Sequence, residues 1–278
     1  MKSVLETIKG GAQYLQNRGV DDARRNMEHL LAHQLGCTRM QLYTQFDKPL
    51  DEVDLAPLRE GLRKRGQGVP LQHLLGEVGF FGRNFICDRR GLIPRPETEE
   101  LAEMILAKLP AESLEMLDMG CGSGVLGLTL AAERPESRVT LVDVSVEAVS
   151  LTKANADQLG IGNIVLVHGD LFEKIVGKFD LIAANLPYVP SGEANALARE
   201  LSHDPPLALF SGSDGLELLR KFVPLAFEFL KPGGQLALEI GHDQASQLYM
   251  YLESSGFTDI RIHADLSGVD RFPFAKHP

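Results

Sequence analysis

The segment Asp118-Met119-Gly120-Cys121-Gly122-Ser123-Gly124 stands directly after an apolar, strand-like run and directly before a helical one. Glycines at such a junction let the backbone turn sharply and let a ligand approach without meeting a Cβ. The pattern around the loop limits the fold further. Apolar runs predict strands over Leu114–Met119, Arg138–Val142, Ile164–His168, Leu181–Ala184 and Gln235–Ile240. Helical spacing predicts helices between them, over Val125–Ala132, Val146–Leu159, Asp214–Leu230 and Asp243–Ser254. Strands alternating with helices imply βαβ units and a mostly parallel sheet buried on both faces. Thr258–His263 and Arg271–Ala275 add an antiparallel pair at the end. The expected fold is therefore α/β: a doubly wound, mostly parallel sheet.

The first seventy or so residues read differently, as all-helical. Ala23, Met27, Leu30 and Leu31 recur at helical spacing, with Asp21 or Asp22 placed to cap. Leu55, Leu58 and Leu62 form the next stripe, preceded by Asp51 and Asp54 as cap candidates. Gly66-Gln67-Gly68-Val69-Pro70 breaks the pattern. The expected organisation is a helical domain over 1–70, a linker with a hairpin (Val78 to Ile86) over 71–93, and the α/β domain over 94–278. That last domain opens on a helix, Glu97 to Leu109, with Pro96 near its first turn.

Composition narrows the partners. The net charge is −10, from 28 basic and 38 acidic residues. A protein that lives on phosphate backbones usually carries a basic stripe. Arg59, Arg63, Lys64 and Arg65 are the one such stretch and read as a solvated helix end whose cations complement the dipole. Charge thus argues against nucleic acid and for a protein or small-molecule substrate. The N-terminus lacks the apolar core of a secretory signal, and no run is long enough to span a bilayer. Cys37, Cys87 and Cys121 form no metal-ligand spacing, and a reducing cytoplasm fits. His29 and His33 lie four apart but lack a third ligand, so they read as ordinary surface or core histidines.

In doubly wound sheets, ligands sit beyond the carboxyl ends of the strands, where the glycine loop lies. Backbone N–H groups at the helix start after it favour a negative or polar ligand group. Asp143 ends the next strand, and a carboxylate there can accept from both hydroxyls of a ribose. A ribose-bearing cofactor is indicated. Gly122, Gly124 and Gly127 also satisfy G-x-G-x-x-G, so a nicotinamide dehydrogenase is one alternative. Asp118, two residues before the first glycine, points instead to S-adenosylmethionine, as does the tetrapeptide Asn185-Leu186-Pro187-Tyr188. Cys121 reads as a small filler in the loop.

The tetrapeptide follows the strand Phe179 to Ala184, where a reaction partner would meet a cofactor held by the first two strands. An amide nitrogen is a poor nucleophile because its lone pair is delocalised. Asn185 Oδ1 and the Leu186 carbonyl together can bind both hydrogens of an NH₂ group. Pro187 restricts Leu186, fixing the aim of that carbonyl. Tyr188 offers a flat ring for a planar amide or base.

These residues resemble the acceptor motif of amino-methyltransferases. Over nearly its whole length the chain is similar to the HemK/PrmC family, glutamine N5-methyltransferases of class I peptide chain release factors. The likeness includes the helical first domain and Pro70-Leu71-Gln72-His73-Leu74-Leu75-Gly76 leading into Phe80-Phe81. It continues through Leu92-Ile93-Pro94-Arg95-Pro96-Glu97-Thr98-Glu99, Asp204-Pro205 with Ala208-Leu209, and Leu238-Glu239-Ile240-Gly241. The resemblance implies a seven-stranded, Rossmann-like S-adenosylmethionine-dependent methyltransferase sheet. It also implies that Asp118, Gly120, Cys121, Gly122, Ser123 and Gly124 hold the cofactor's methionine end. Asp143 would take the ribose, and Asp170-Leu171 would lie beside the adenine. Asn185 to Tyr188 would grip the glutamine of a Gly-Gly-Gln loop, with Asn185 also beside the cofactor. The helical domain would dock the release factor, a protein partner met in the cytoplasm.

Two residues depart from the family pattern. Leu186 stands where the first proline of Asn-Pro-Pro-Tyr is usual, and Asp204 where glutamate is usual. Asn-Leu-Pro-Tyr is similar to what some adenine-N6 RNA methyltransferases carry, so an adenine-N6 RNA or DNA methyltransferase is the main alternative. A non-catalytic binding module is the remaining one. Arg95 is open between contacting a ligand and holding the helix start at Glu97. Gly233-Gly234-Gln235 reads as a turn entering a strand, not as a self-substrate.

Overall fold

The computed structural model describes residues 1–193 and 200–278. The chain divides into two compact units, one of Met1–Glu77 with Ala198–His203 and one of Val78–Leu197 with Asp204–Pro278.

The first unit contains β1 (Lys2–Ser3), α1 (Val4–Gln16), α2 (Ala23–Gln34), α3 (Arg39–Tyr43), β2 (Pro49–Leu50), α4 (Glu52–Gly66) and α5 (Leu71–Leu75). Helix α1 starts on a capping box: Glu6 N–H donates to Ser3 Oγ at 3.2 Å, and Ser3 N–H donates to Glu6 Oε2 at 2.9 Å. Asp51 caps α4 by accepting from Asp54 N–H at 3.1 Å. The Asp22 carboxylate makes no such bond: the residue sits at φ 47°, and the Asn26 side chain instead donates to the Asp21 and Asp22 carbonyls. The region is also not wholly helical, because Lys2 pairs with Leu50 and Ser3 with Pro49. Two residues are too few for a period-2 pattern, so this ladder leaves no sequence signal. Val4, Ile8, Leu15, Met27, Leu31, Leu42 and Leu50 close the core.

The basic cluster on α4 is not simply a solvated end. Arg59 pairs with Glu52 and Arg63 with Glu60. Arg65 is buried, donates to Asn26 Oδ1 at 2.7 Å, and pairs with Glu200.

The second unit opens on a hairpin of β3 (Glu77–Phe80) and β4 (Arg83–Ile86), where Phe80 and Phe85 meet edge to face in the core. Then follow α6 (Pro96–Lys108), β5 (Glu115–Met119), α7 (Val125–Glu133), β6 (Arg138–Asp143), α8 (Val146–Leu159), β7 (Ile164–His168) and β8 (Phe179–Asn185). The chain ends with α9 (Glu217–Phe229), β9 (Leu230–Glu239), α10 (Ala245–Ser254), β10 (Thr258–Ala264) and β11 (Asp270–Lys276). The seven-stranded sheet runs β10-β11-β9-β8-β5-β6-β7. Strands β9, β8, β5, β6 and β7 are parallel; β11 is antiparallel to β9 and β10 to β11, so β11 alone runs against the other six. The expected α/β sheet and its antiparallel ending are both present.

Leu117, Leu181, Ile182, Ala183 and Ala184 lose all exposure because helices cover both faces, which is why these strands read as continuous apolar runs. Strand β9 begins earlier than the sequence suggests and takes in Gly233 and Gly234. An added Cβ at Gly234 would meet the Phe179 carbonyl at 3.0 Å, so a bare backbone lets the strand start against β8.

Candidate active site

Chain order reverses in the sheet between β5 and β8, and the crevice beyond their carboxyl ends is where this fold class binds ligands. Three sequence-predicted segments converge there: the glycine loop after β5, Asp143 at the end of β6, and the Asn185 corner at the end of β8.

The loop folds over the end of β6. Gly120 and Cys121 N–H both donate to the Val142 carbonyl, at 2.8 and 2.9 Å. Gly120 sits at φ 72°, and an added Cβ would meet Leu186 Cδ2 at 2.9 Å, so a side chain there is excluded twice over. Gly122, at φ 56°, donates its N–H to Asp143 Oδ2 at 2.8 Å. Asp143 Oδ1 accepts from Ser145 N–H at 2.9 Å. Each carboxylate oxygen has thus taken one backbone donor and keeps a lone pair for another. Burial raises the Asp143 carboxyl above its usual range, opposed by these backbone donors.

Around this carboxylate lies a cavity of about 270 Å³. Gly120, Gly122, Asp143, Asp170, Leu171, Leu186 and Pro187 all line it. A smaller recess of about 50 Å³ shares Gly120 and Gly122 and adds Asp118, Cys121, Ser123 and Asn185. Gly124 and Tyr188 line neither. Gly124 caps α7 at φ 82°, packed against Thr152. Tyr188 lies beside Gly241 and offers its carbonyl to Gln244 Nε2 at 3.0 Å, and burial pushes its phenol up to about 12. Cys121 is buried with Sγ 3.5 Å from Thr152 Oγ1, and its thiol is held well above the usual range by burial. A filler role fits, since the thiolate is disfavoured there. Among the described residues no group of three His, Cys, Asp or Glu could hold a metal.

Asp118 is the unusual member. It is buried, and Oδ2 accepts from Gly127 N–H at 2.8 Å. A Cβ on Gly127 would come within 2.8 Å of that oxygen, so the third glycine of G-x-G-x-x-G makes room for Asp118. Burial pushes the Asp118 carboxyl up to about 7. Its folded value thus exceeds the unfolded value of about 4, so the destabilisation grows between those two pH values and is complete above the higher. Asp118→Asn keeps an acceptor for Gly127 and removes the buried charge. The ligand-free variant is expected to melt several degrees above wild type at pH 8, with a smaller gain at pH 5. Equal melting points at pH 8 would count against a buried charge at this position.

The recess suits a zwitterion better than a phosphate. Asp118 sets a carboxylate against the α7 N-terminus, where it repels a pyrophosphate but complements an ammonium group. The bare Gly122, the Asp143 acceptors and the walls of Met119, Leu171 and Leu186 fit the ribose and base of a nucleoside. The residues therefore fit S-adenosylmethionine.

Three residues that sequence reasoning quoted only as part of a resemblance prove structural to the site. Asn185 Nδ2 donates to Thr98 Oγ1 at 3.0 Å, and Thr98 Oγ1 donates to Glu239 Oε2 at 2.7 Å. Arg95 lines the smaller recess and also caps α6, its carbonyl accepting from Thr98 N–H at 3.1 Å. It pairs at 2.6 Å with Asp204 Oδ2, while Asp204 Oδ1 accepts from Ile93 N–H at 3.1 Å. That buried carboxylate pins the stretch whose Pro205, Leu207 and Ala208 close one side of the cavity. Aspartate in place of the family's usual glutamate is therefore long enough for this contact.

Comparisons with known proteins bear on the family and the fold. A family model described as the PrmC N-terminal domain matches residues 6–76, and one described as the methyltransferase small domain matches residues 86–214. The release factor glutamine methyltransferase of Geobacter sulfurreducens is 38% identical over 98% of this chain and 94% of its own length. The one from Koribacter versatilis is 34% identical over 99% of each, and the one from Deinococcus radiodurans is 37% identical over 94% of each. Among solved structures, a Pyrococcus furiosus methyltransferase aligns with TM-score 0.53 and 19% identity, over 70% of this chain and 89% of that one. The T. thermophilus 16S rRNA N2 G1207 methyltransferase aligns with TM-score 0.53 and 20% identity, over 73% and 50%. At such identities the structures speak to the sheet alone. These curated relatives span both units at 34–38% identity, and with a cavity fitted to a methyl-donating nucleoside the chain belongs to the release factor glutamine methyltransferase family.

Proposed function

We propose that this S-adenosylmethionine-dependent methyltransferase acts on the side-chain amide nitrogen, N5, of the glutamine in the Gly-Gly-Gln motif of class I peptide chain release factors. The observation that carries this reading is the position of Asn185: a carboxamide on the wall of the recess, tied by its nitrogen to Thr98, directly beside the glycine loop. Its relatives bear the name of that activity.

The cofactor supplies, when bound, a methyl group on a positively charged sulfur. The protein's own residues do the rest. Gly120, Cys121, Gly122, Ser123 and Asp118 would hold the methionine end, with the Asp118 carboxylate available to its ammonium group and Gly124 supporting the loop from the start of α7. Asp143 accepts from the ribose, and Asp170 and Leu171 border the base. Asn185 Oδ1 and the Leu186 carbonyl accept the two hydrogens of the glutamine NH₂, holding the nitrogen's lone pair toward the donor. Alignment of this kind supplies several kcal/mol of rate enhancement. Pro187 fixes Leu186, and Tyr188, packed beside Gly241 and hydrogen-bonded through its carbonyl to Gln244, anchors the corner from behind the cavity instead of lining it. The helical unit docks the release factor, which places the work in the cytoplasm. No described helix is long and apolar enough to cross a membrane.

Leu186 bears on the adenine-N6 alternative. Its side chain is buried against Gly120 and lines the cofactor cavity, so it packs the cofactor's wall and leaves its carbonyl for the substrate. A leucine there does not require an adenine. Purified release factor incubated with methyl-labelled cofactor should acquire one label, located by mass spectrometry on the Gly-Gly-Gln glutamine. Label on RNA or DNA with none on release factor would overturn the proposal.

A further inference from the structure

Asn185 has two ends of opposite polarity on one planar group, and only the oxygen can accept from a substrate NH₂. Nothing in the shape of a carboxamide selects which end faces the recess. We propose that Glu239, acting through Thr98, makes that selection and is a positioning residue for methyl transfer, an inference that rests on the acceptor role given to Asn185 above.

The argument is one of proton counting. Thr98 Oγ1 lies 2.7 Å from Glu239 Oε2 and 3.0 Å from the Asn185 side chain. A hydroxyl has one proton, and an ionised carboxylate can only accept. The Thr98 proton must therefore go to Glu239, leaving its oxygen as an acceptor toward Asn185. The NH₂ end of Asn185 has to face Thr98, and Oδ1 has to face away from it. The frame is rigid: Asn185 and Glu239 are register partners on β8 and β9, and Thr98 sits in the first turn of α6 behind Pro96. Thr98 and Glu239 are both buried, at 4% and 2% exposure, so water does not substitute for either partner.

Once Glu239 is protonated the logic inverts. It then donates to Thr98, the Thr98 proton is released toward Asn185, and the carboxamide is favoured with its oxygen inward and its NH₂ toward the substrate. Two NH₂ groups would then face each other. Burial pushes Glu239 up to about 7, opposed by the Thr98 hydroxyl, by Arg271 on β11 and by a weaker direct hydrogen bond from the Asn185 side chain, which favours the same NH₂-inward orientation, and reinforced by Glu97 on α6. Tyr188 is the other titratable group coupled to it. Arg271 is itself held by Asp265 Oδ2 at 2.8 Å and the Ile240 carbonyl at 3.0 Å, so its charge stays fixed beside Glu239. The selection is thus complete above neutral pH and fails as pH drops through about 7.

The test uses full-length protein, release factor and S-adenosylmethionine across pH 6–9, with cofactor affinity measured by calorimetry. Thr98→Val, close to isosteric, should lower kcat about thirtyfold at pH 8 while cofactor Kd stays within twofold. Thr98→Ser should restore kcat to within threefold of wild type. Glu239→Gln, which like the protonated acid can donate as well as accept, should hold kcat at pH 8 near the lowered value that wild type shows at pH 6 and should lack the pH dependence that Glu239 imposes near pH 7. Asp118 and Asp143 also titrate above their usual range and remain in that variant, so the difference between the two profiles belongs to Glu239. Wild-type kcat in Thr98→Val, no rescue by serine, or identical pH profiles for wild type and Glu239→Gln would each overturn the relay. An inactive wild type would instead reject the release-factor reading, so the two failures are told apart in one experiment.

Discussion

Asn185→Ala is expected to lower the turnover of release factor by two to three orders of magnitude while cofactor affinity changes less than severalfold. The amide nitrogen of glutamine becomes nucleophilic only as its lone pair leaves conjugation. An acceptor aimed at its hydrogens favours that pyramidal geometry over the planar ground state. Removing one preorganised polar group of this kind typically costs about 10²–10³ in kcat. The cofactor contacts proposed above lie elsewhere, on the glycine loop and Asp143, so its binding is expected to survive. The Thr98 hydroxyl also loses the donor it accepts from, a buried loss worth about 1–3 kcal/mol that falls on stability. Single-turnover transfer of labelled methyl, beside calorimetry with S-adenosylhomocysteine, separates these effects. A variant that transfers methyl at the wild-type rate would remove Asn185 from the chemistry.

Asp143→Ala is expected to weaken cofactor binding at least a hundredfold. Its carboxylate holds the loop through Gly122 N–H at 2.8 Å and the α8 entrance through Ser145 N–H at 2.9 Å, and keeps lone pairs for a ribose. Hydrogen bonds to a charged group contribute about 1.5–3 kcal/mol each. Losing two toward a ligand therefore exceeds the 2.7 kcal/mol or so that a hundredfold represents. Asp143→Asn, which keeps one acceptor, should fall between. The sign with pH follows from burial: the raised Asp143 carboxyl takes up a proton sooner than an exposed one, so affinity declines toward acid pH. Calorimetry on the wild type at pH 8 and 5.5 measures this. Affinity of Asp143→Ala within tenfold of wild type would show that the ribose is held by something else.

The catalytic half of the fold was legible because its periodicities are strong. The helix Val146–Leu159 and the strand Ile164–His168 match the observed α8 and β7 at both ends, since a half-buried run rich in β-branched residues and an amphipathic helix leave unmistakable spacing. The errors lie where local chemistry competes. Asp22 has a capping residue's identity, but its backbone is left-handed and its side chain makes no cap bond, while Asn26 donates to the Asp21 and Asp22 carbonyls and ties down the turn from the other direction. Arg65 looks like its exposed neighbours Arg63 and Lys64, yet a single turn of α4 is enough to bury it against Asn26. The β1–β2 ladder joins residues almost fifty positions apart in the chain, with two residues a side, and only packing reveals it.

The site divides in the same way. Local sequence determined the glycine loop, the strand-end Asp143 and the Asn-Leu-Pro-Tyr corner, because turns, strand ends and backbone restriction are set by neighbours in the chain. It also determined that they would meet, since a doubly wound sheet brings every strand's carboxyl end to one edge. Only the tertiary structure decided what surrounds them. Thr98 and Glu239 come from an α6 first turn and a β9 end, with the charge of Arg271 on β11 beside them, and their spacing in sequence carries no trace of a shared hydrogen-bond chain. Asp118 likewise reads as one more loop acid until the packing of Gly127 and Leu141 removes its water and raises its affinity for a proton. Hydrogen-bond direction and desolvation depend on atoms distant in the chain, so they are settled by packing.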